Sequence, residues 1–292
     1  MAIFAQGLGA PETPRLLPDG SWLCVELAPA RGCVTHISAD GKTIRQIVRT
    51  GMPNGCLPDR DGIIWVAETH PHPALMRATM AGTAEVFLDH CNGEPMLLPN
   101  DLVFAPNGLL YVTDSGMLMS DWAPGLQLRP DWASAPFDGR IYEVNTRTKA
   151  IRILDRGFRF TNGIAMGPDG HLYFNEMITG DIYRIPFVDG MPSGKSERFA
   201  NVMSAEWSGG FRGPDGMGFG MDGNLYCTVF GEKNVAVVDP SGTVIRRIET
   251  QGARPTNVAF GANGERRLYV SEQELGQIEV FDVETSGFPL LG

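Results

Sequence analysis

Several things are scarce in this 292-residue chain, and each scarcity closes a route. Charged residues make up only 20% of it, and Lys+Arg (24) are outnumbered by Asp+Glu (34), for a formal net charge of −10. That balance argues against nucleic-acid or anionic-membrane partners, which select basic surfaces. No apolar run approaches the ~20 residues a membrane helix needs. The opening Met-Ala-Ile-Phe-Ala-Gln-Gly has neither the basic start nor the apolar stretch of a secretory signal. The five cysteines (Cys24, Cys33, Cys56, Cys91, Cys227) are odd in number, far apart and without a Cys-x-x-Cys pair. They predict isolated thiols in a reducing compartment, so a cytoplasmic protein with neither a disulfide frame nor a zinc ribbon. There is no Gly-x-Ser-x-Gly elbow, and the five histidines form no triad pattern. Gly209-Gly-Phe-Arg-Gly lacks the Lys-Ser/Thr of a phosphate loop. Sustained helical periodicity is missing too.

Turns are what the chain has in abundance, with 36 glycines and 21 prolines. One unit recurs: an apolar stretch, an Asp-Gly or Asn-Gly turn, then a strand of the Leu-Tyr-Val type. Its turn glycines are Gly20, Gly62, Gly108, Gly170, Gly223 and Gly264, at spacings of 42, 46, 62, 53 and 41. Each turn supplies the positive φ of a tight hairpin. A second hairpin follows each first one, opened by Val34-Thr-His-Ile, Leu75-Met-Arg-Ala, Ile141-Tyr-Glu-Val, Ile182-Tyr-Arg-Ile, Val235-Ala-Val-Val and Ile278-Glu-Val-Phe. Four strands in about 49 residues is the size of a propeller blade. The reading is therefore all-β: a six-bladed β-propeller, four antiparallel strands per blade, in one domain over residues 1–292. The long spacings predict rim insertions within blades around 117–137 and 201–213. Ile3-Phe4, paired beside a C-terminal strand, would close the ring.

Counting back eleven positions from the centre of each second strand gives Glu12, Asn54, Asn100, Asn162 and Asp215; the sixth repeat, one residue longer, gives Asn257 or Val258. The first strand of a blade lines the central channel, so these side chains should meet at one mouth. Two carboxylates and several amides, without His or Cys, form a hard-oxygen set. It suits Ca²⁺, or less flexibly Mg²⁺ or Mn²⁺, and disfavours structural zinc. His70 and His72, between prolines, read as loop residues.

The segments Pro11-Glu-Thr-Pro, Pro99-Asn-Asp, Thr161-Asn-Gly-Ile-Ala and Gly213-Pro-Asp-Gly-Met resemble, in order and along the whole chain, the regucalcin/gluconolactonase family of six-bladed propellers. The resemblance implies one divalent metal at the channel mouth, usually Ca²⁺, with Zn²⁺, Mn²⁺ or Mg²⁺ in some members. The implied ligands are Glu12, Asn162 and Asp215, with Asn100 a ligand or a contact to substrate and water. It implies hydrolysis of lactones, often sugar lactones, with Asp215 and Asn100 in catalytic roles. Where sugar-lactone members often carry Arg, Leu98 stands here, and Arg15 and Leu16 replace the usual Val and Trp. Arg15 is the candidate substitute donor to substrate. Trp207 and Met117, from the insertions, are candidate substrate contacts, in a rim with Met119, Trp122, Trp132 and Phe211 that either suits a more apolar lactone, with aliphatic or aromatic parts, or packs the insertion onto the blade faces. A small-molecule lactone or ester is the expected partner, and the expected assembly is a monomer or small homo-oligomer. The rival readings are an esterase or phosphotriesterase using the same site, and a non-catalytic binding scaffold.

Overall fold

The computed structural model describes residues 1–206, 209–262 and 264–289. Among them are six four-stranded antiparallel sheets, each beginning with an innermost strand: Pro11–Leu16, Pro53–Pro58, Pro99–Phe104, Thr161–Met166, Gly213–Phe219 and Pro255–Phe260 for blades 1 to 6. Neighbouring innermost strands pack around the whole circle, blade 6 against blade 1 included, which is the closed ring of a β-propeller. The second strands are Trp22–Glu26, Ile63–Glu68, Leu110–Asp114, Leu172–Glu176, Leu225–Phe230 and Arg267–Glu272. The six turn glycines join these two strands in every blade, all at positive φ, from 75° to 85°. The third strands carry the second-hairpin openers read from the sequence.

Closure is done by the chain's start. Ala2–Gln6 pairs antiparallel with Gln277–Asp282, with Ala2 opposite Val280 and Ala5 opposite Ile278, and supplies the fourth strand of blade 6. Phe4 packs its ring on Trp22 and Tyr269 at centroid distances of 5.7 and 5.2 Å. The core is divided among the blade interfaces. Leu23, Val25 and Val34 of blade 1 meet Cys56, Ile64 and Val66 of blade 2 in one such cluster, and comparable clusters lie at the other junctions. All five cysteines are buried and free.

A regularity beneath the turns went unread in the sequence. In five blades the second strand ends in a buried acid: Glu26, Glu68, Asp114, Glu176 and Glu272. In blade 5 the buried Glu232 stands two residues past the strand. Each accepts a hydrogen bond from a backbone N–H of the loop leading into its own blade's innermost strand. The donors are Gly9, Met52, Leu97 with Leu98, Arg159, Ser204 and Arg254, at 2.5 to 3.2 Å. Loop amides cut off from water need such acceptors. The acids thereby fix the loops that form one mouth of the channel.

The 117–137 segment sits between the second and third strands of blade 3. It carries a short helix, Met119–Trp122, and two 3₁₀ turns, Pro124–Leu126 and Trp132–Ser134. The 201–213 segment, read as lying within a blade, instead connects the outer strand of blade 4, Glu197–Asn201, to the innermost strand of blade 5. Among the described residues no helix is long and apolar enough to cross a membrane.

Three stability outcomes follow. Phe4→Ala should cost about 2–3 kcal/mol, because it removes a ring from the closure interface. Glu272→Ala should cost roughly 2–3 kcal/mol by leaving the amides of Arg254 and Leu275 unpaired. Replacing the exposed Glu85 should stay within about 0.5 kcal/mol of wild type. Urea unfolding of the three variants checks all three values, and equal midpoints for Glu272→Ala and Glu85→Ala would refute the role given to the acid.

Candidate functional site

The innermost strands all run the same way through the ring, so their first residues gather at one mouth. There the pairing with the second strand is irregular in every blade: shifts fall between Glu12 and Arg15, Pro53 and Gly55, Pro99 and Leu102, Thr161 and Ile164, Pro214 and Met217, and Pro255 and Asn257. A bulge of this kind re-aims side chains that a flat strand would alternate between its faces. The result is a cavity of about 160 Å³ whose polar lining includes Glu12, Asn54, Asn100, Asn162, Asp215 and Thr256. Five of the six aligned positions thus share one cavity. The sixth is Asn257 rather than Val258. Its amide lies just beneath, while Val258 lines a separate apolar cavity beyond the strand bulges.

Small residues allow the approach. A Cβ on Gly163 would stand 2.2 Å from the Asp215 carbonyl, and one on Gly55 2.5 Å from that of Asn100. Backbone strain collects at the same mouth. Thr13 and Phe160 hold φ of 51° and 69°, a region costly for β-branched and aromatic residues.

The hydrogen bonds leave acceptors free and donors engaged. Glu12 Oε2 accepts from the Thr13 amide (2.7 Å), the Thr13 hydroxyl (3.1 Å) and Asn257 Nδ2 (3.3 Å). Among the described residues no donor reaches Glu12 Oε1. Asn100 Nδ2 donates to Ser115 Oγ at 3.1 Å, and Asn162 Nδ2 to Met177 Sδ at 3.5 Å. The Asp215 carbonyl accepts from Asn175 Nδ2 at 2.6 Å, holding that strand from below.

A third carboxylate completes the electrostatics. Asp101, next to Asn100, reaches the axis, where its oxygens accept from Arg15 Nη2 and from Asn257 Nδ2, both at 3.2 Å. Burial, and then Asp101, push the Glu12 carboxyl up to about 8. Burial, then Glu12, then Asp101 raise Asp215 well above the ordinary carboxylate range. Burial also raises Asp101, against the pull of Arg15. Three carboxylates and one guanidinium sum to two negative charges when ionised. Among the described residues no three His, Cys, Asp or Glu side chains form a metal cluster. Here two carboxylates are joined by two amides instead, a donor set that fits a hard divalent cation.

Other sequence candidates fall elsewhere. Arg15 does not face this cavity. The irregularity at Thr13–Pro14 turns it down the channel, where Nε donates to the Cys56 carbonyl and Nη2 pairs with Asp101. It lines the apolar cavity at the far end, so the expected contact with substrate at this mouth does not fit its place. Met117 is buried in the apolar cluster behind the wall, and Met119 reaches the cavity in its stead. Trp132 packs on Phe211 without lining the cavity. Trp207 lies outside the described residues, and Glu206 is exposed in a turn. His72 pairs with Asp89 on the surface at 2.9 Å, away from the mouth. Trp122 and Phe211, expected in an apolar rim, do line the cavity, and three further contributors went unassigned in the sequence: Asp101, in view inside Pro99-Asn-Asp, and Phe160 and Phe230, which join those two rings in one aromatic wall.

Known proteins bear on this geometry. A gluconolactonase from Zymomonas mobilis is 25% identical over 227 residues, covering 75% of this chain and 60% of that enzyme. Strictosidine synthase-like protein 4 of Arabidopsis thaliana is 30% identical over 146 residues, covering 49% of this chain and 38% of that protein. The chain therefore spans less than two thirds of the length of these relatives. Among solved structures, the calcium-binding protein regucalcin of Agrobacterium tumefaciens superposes with a TM-score of 0.78 at 20% identity. The match covers 99% of this chain and 96% of that one, a likeness of fold. The family described as SMP-30/Gluconolactonase/LRE-like region matches residues 30–274, and with most of its length inside that match this chain belongs to the family.

Proposed function

We propose that this protein hydrolyses a lactone at the acidic mouth of its channel, with a divalent cation, Ca²⁺ first among them, held by Glu12, Asn100, Asn162 and Asp215. One observation carries the reading: Glu12 and Asp215, buried and mutually repelling, share one small cavity with two asparagine side chains. Such crowding has little structural use and suits a site that gains its counter-charge from a ligand. The likeness to the Zymomonas gluconolactonase supports a lactone as the substrate, and the likeness to the calcium-binding Agrobacterium regucalcin supports calcium.

The chemistry a cation supplies when bound here is Lewis acidity toward the ester carbonyl and charge to offset the carboxylates. The chain's own residues do the rest. Asp215, a carboxylate on the cavity, accepts a proton at one of its oxygens from the attacking water. Asn100 cannot titrate near neutrality, and with its Nδ2 tied to Ser115 it presents Oδ1 in a fixed direction to water or substrate. Asn162 is steadied in the same way by Met177. Asp101 and Arg15, locked together below, keep Asn257 on Glu12 and so hold that carboxylate in place.

Proton release during turnover of a lactone panel, on metal-stripped protein and after adding Ca²⁺, Zn²⁺, Mn²⁺ or Mg²⁺, tests the proposal. Metal should restore activity at least about 100-fold. Glu12→Ala and Asp215→Ala should each lower kcat/KM by roughly 10²–10⁴, with urea midpoints showing that both remain folded. A folded, metal-binding protein inactive on every lactone would reject the proposal. Arg15→Ala offers a separate check: no direct contact with substrate is lost, so KM should hold within about twofold while the urea midpoint falls, because Asp101 is left buried and unpaired.

A further inference from the structure

The cavity has two unlike halves. Glu12, Asn100, Asn162 and Asp215, joined by Asn54, Thr69, Thr256 and Gln273, make part of its lining polar, while Leu98, Met119, Trp122, Phe160, Phe211 and Phe230 present carbon. No Arg, Lys or His is among the described residues that line it.

The apolar half is a built surface. Trp122 packs edge-on or tilted against Phe160 (5.1 Å), Phe211 (5.0 Å) and Phe137 (5.2 Å), and Phe211 touches Phe230 at 5.8 Å. These rings come from the blade 3 insertion, the entry to blade 4, the blade 4–5 connection and the end of a blade 5 strand. Rings interlocked in this way lose little further freedom when a ligand arrives, so the wall is preformed. Anchoring the insertions would need only ring-to-ring contact. Four of the rings nonetheless keep a side on the cavity.

Such a wall discriminates by chemistry. A polyhydroxylated ring that places its carbonyl on the polar half has Asn54, Thr69 and Gln273 for some of its hydroxyls, but every hydroxyl turned to Trp122 and Phe160 loses water and gains no partner. An anionic substituent would meet Glu12 and Asp215, with Asp101 behind them and no cationic side chain to pair with. An alkyl or aryl group, by contrast, buries apolar area there.

We infer that the substrate is a neutral lactone bearing an alkyl or aryl substituent of modest size, its carbonyl on the acidic half of the cavity and its substituent on the Trp122–Phe160–Phe211 wall. The inference rests on the lactone-opening reading. It makes Trp122, Phe160 and Met119 specificity-determining residues for that reaction.

The test compares four lactones on the metal-loaded full chain: a δ-lactone with a pentyl chain, a γ-lactone with a phenyl group, D-glucono-δ-lactone, and a lactone carrying a carboxylate. The matching lactams, which resist hydrolysis, are titrated by calorimetry. The alkyl and aryl lactones should exceed gluconolactone in kcat/KM by at least about tenfold, and each buried methylene should lower KM about fourfold. Phe160→Ala should raise KM for the phenyl lactone roughly tenfold with kcat within about twofold. Met119→Gln, a change of similar volume at the cavity edge, should narrow the gap between alkyl lactone and gluconolactone even if Phe160→Ala folds poorly. Gluconolactone or the carboxylate lactone matching or beating the apolar pair would overturn the inference. If no lactone turns over, the lactams separate the two claims: preferred binding of the apolar lactams keeps the ligand class and removes the hydrolase reading, whereas equal binding, or none, removes both.

Discussion

One buried carboxylate per blade, accepting the backbone amides of the loop that enters its own innermost strand, is the interaction on which the rest of this structure depends. The loops around the channel mouth are partly withdrawn from water, and the N–H groups they turn inward need acceptors. Glu26, Glu68, Asp114, Glu176, Glu232 and Glu272 supply them. With the loops held, each innermost strand starts at a defined height. The bulges that follow then deliver Glu12, Asn100, Asn162 and Asp215 to a common level. The site is a consequence of six repeated contacts, and only the one at Leu98 borders it.

Down the axis the channel changes character in short steps. Oxygens line the mouth, an ionic and amide layer of Arg15, Asp101 and Asn257 closes it from below, and beneath lie Leu57, Leu102, Ile164, Met217 and Val258. The ionic layer separates two cavities and leaves the carboxylates above it short of counter-charge. Breaking such a layer costs more than its net contribution suggests, because either partner left alone is a buried charge. The same shortage of positive charge makes the mouth a place for a cation. On the other side of the mouth, the aromatic wall makes it a place for something apolar.

Much of this was legible. The six Asp-Gly or Asn-Gly turns reported the blades because a tight hairpin requires positive φ wherever it occurs, so the signal repeats with the fold. The constant distance from Glu12, Asn54, Asn100, Asn162 and Asp215 to their second strands reported a common level for the same reason. Arg15 was less readable. Three residues past Glu12, it would point to the opposite face of a regular strand and stand about 10 Å further along, and with the register shift between Glu12 and Arg15 its direction is set only in the folded strand. Met117 and Met119 differ by two positions within an insertion that has no repeat to compare it with, so nothing local separates the buried one from the one on the cavity. The acids at the strand ends were in plain view, but a carboxylate after a Tyr-Val or Trp-Val pair reads as an exposed end until the loop above it is known.

By itself, then, the sequence determined the architecture, the ring closure by Ile3 and Phe4, and the family of oxygen-bearing side chains at one channel mouth. All of these follow from local turn chemistry and from a period that recurs along the chain. Tertiary structure alone decided that Asp101 joins the acidic set across the axis, that Arg15 seals the channel below it, and that Phe160 and Phe230 join Trp122 and Phe211 in one wall. Each of those depends on residues tens of positions apart meeting at the centre or rim of a closed ring. Charge repulsion and ring packing act through distance in space, and distance in space is what separation along a chain does not encode.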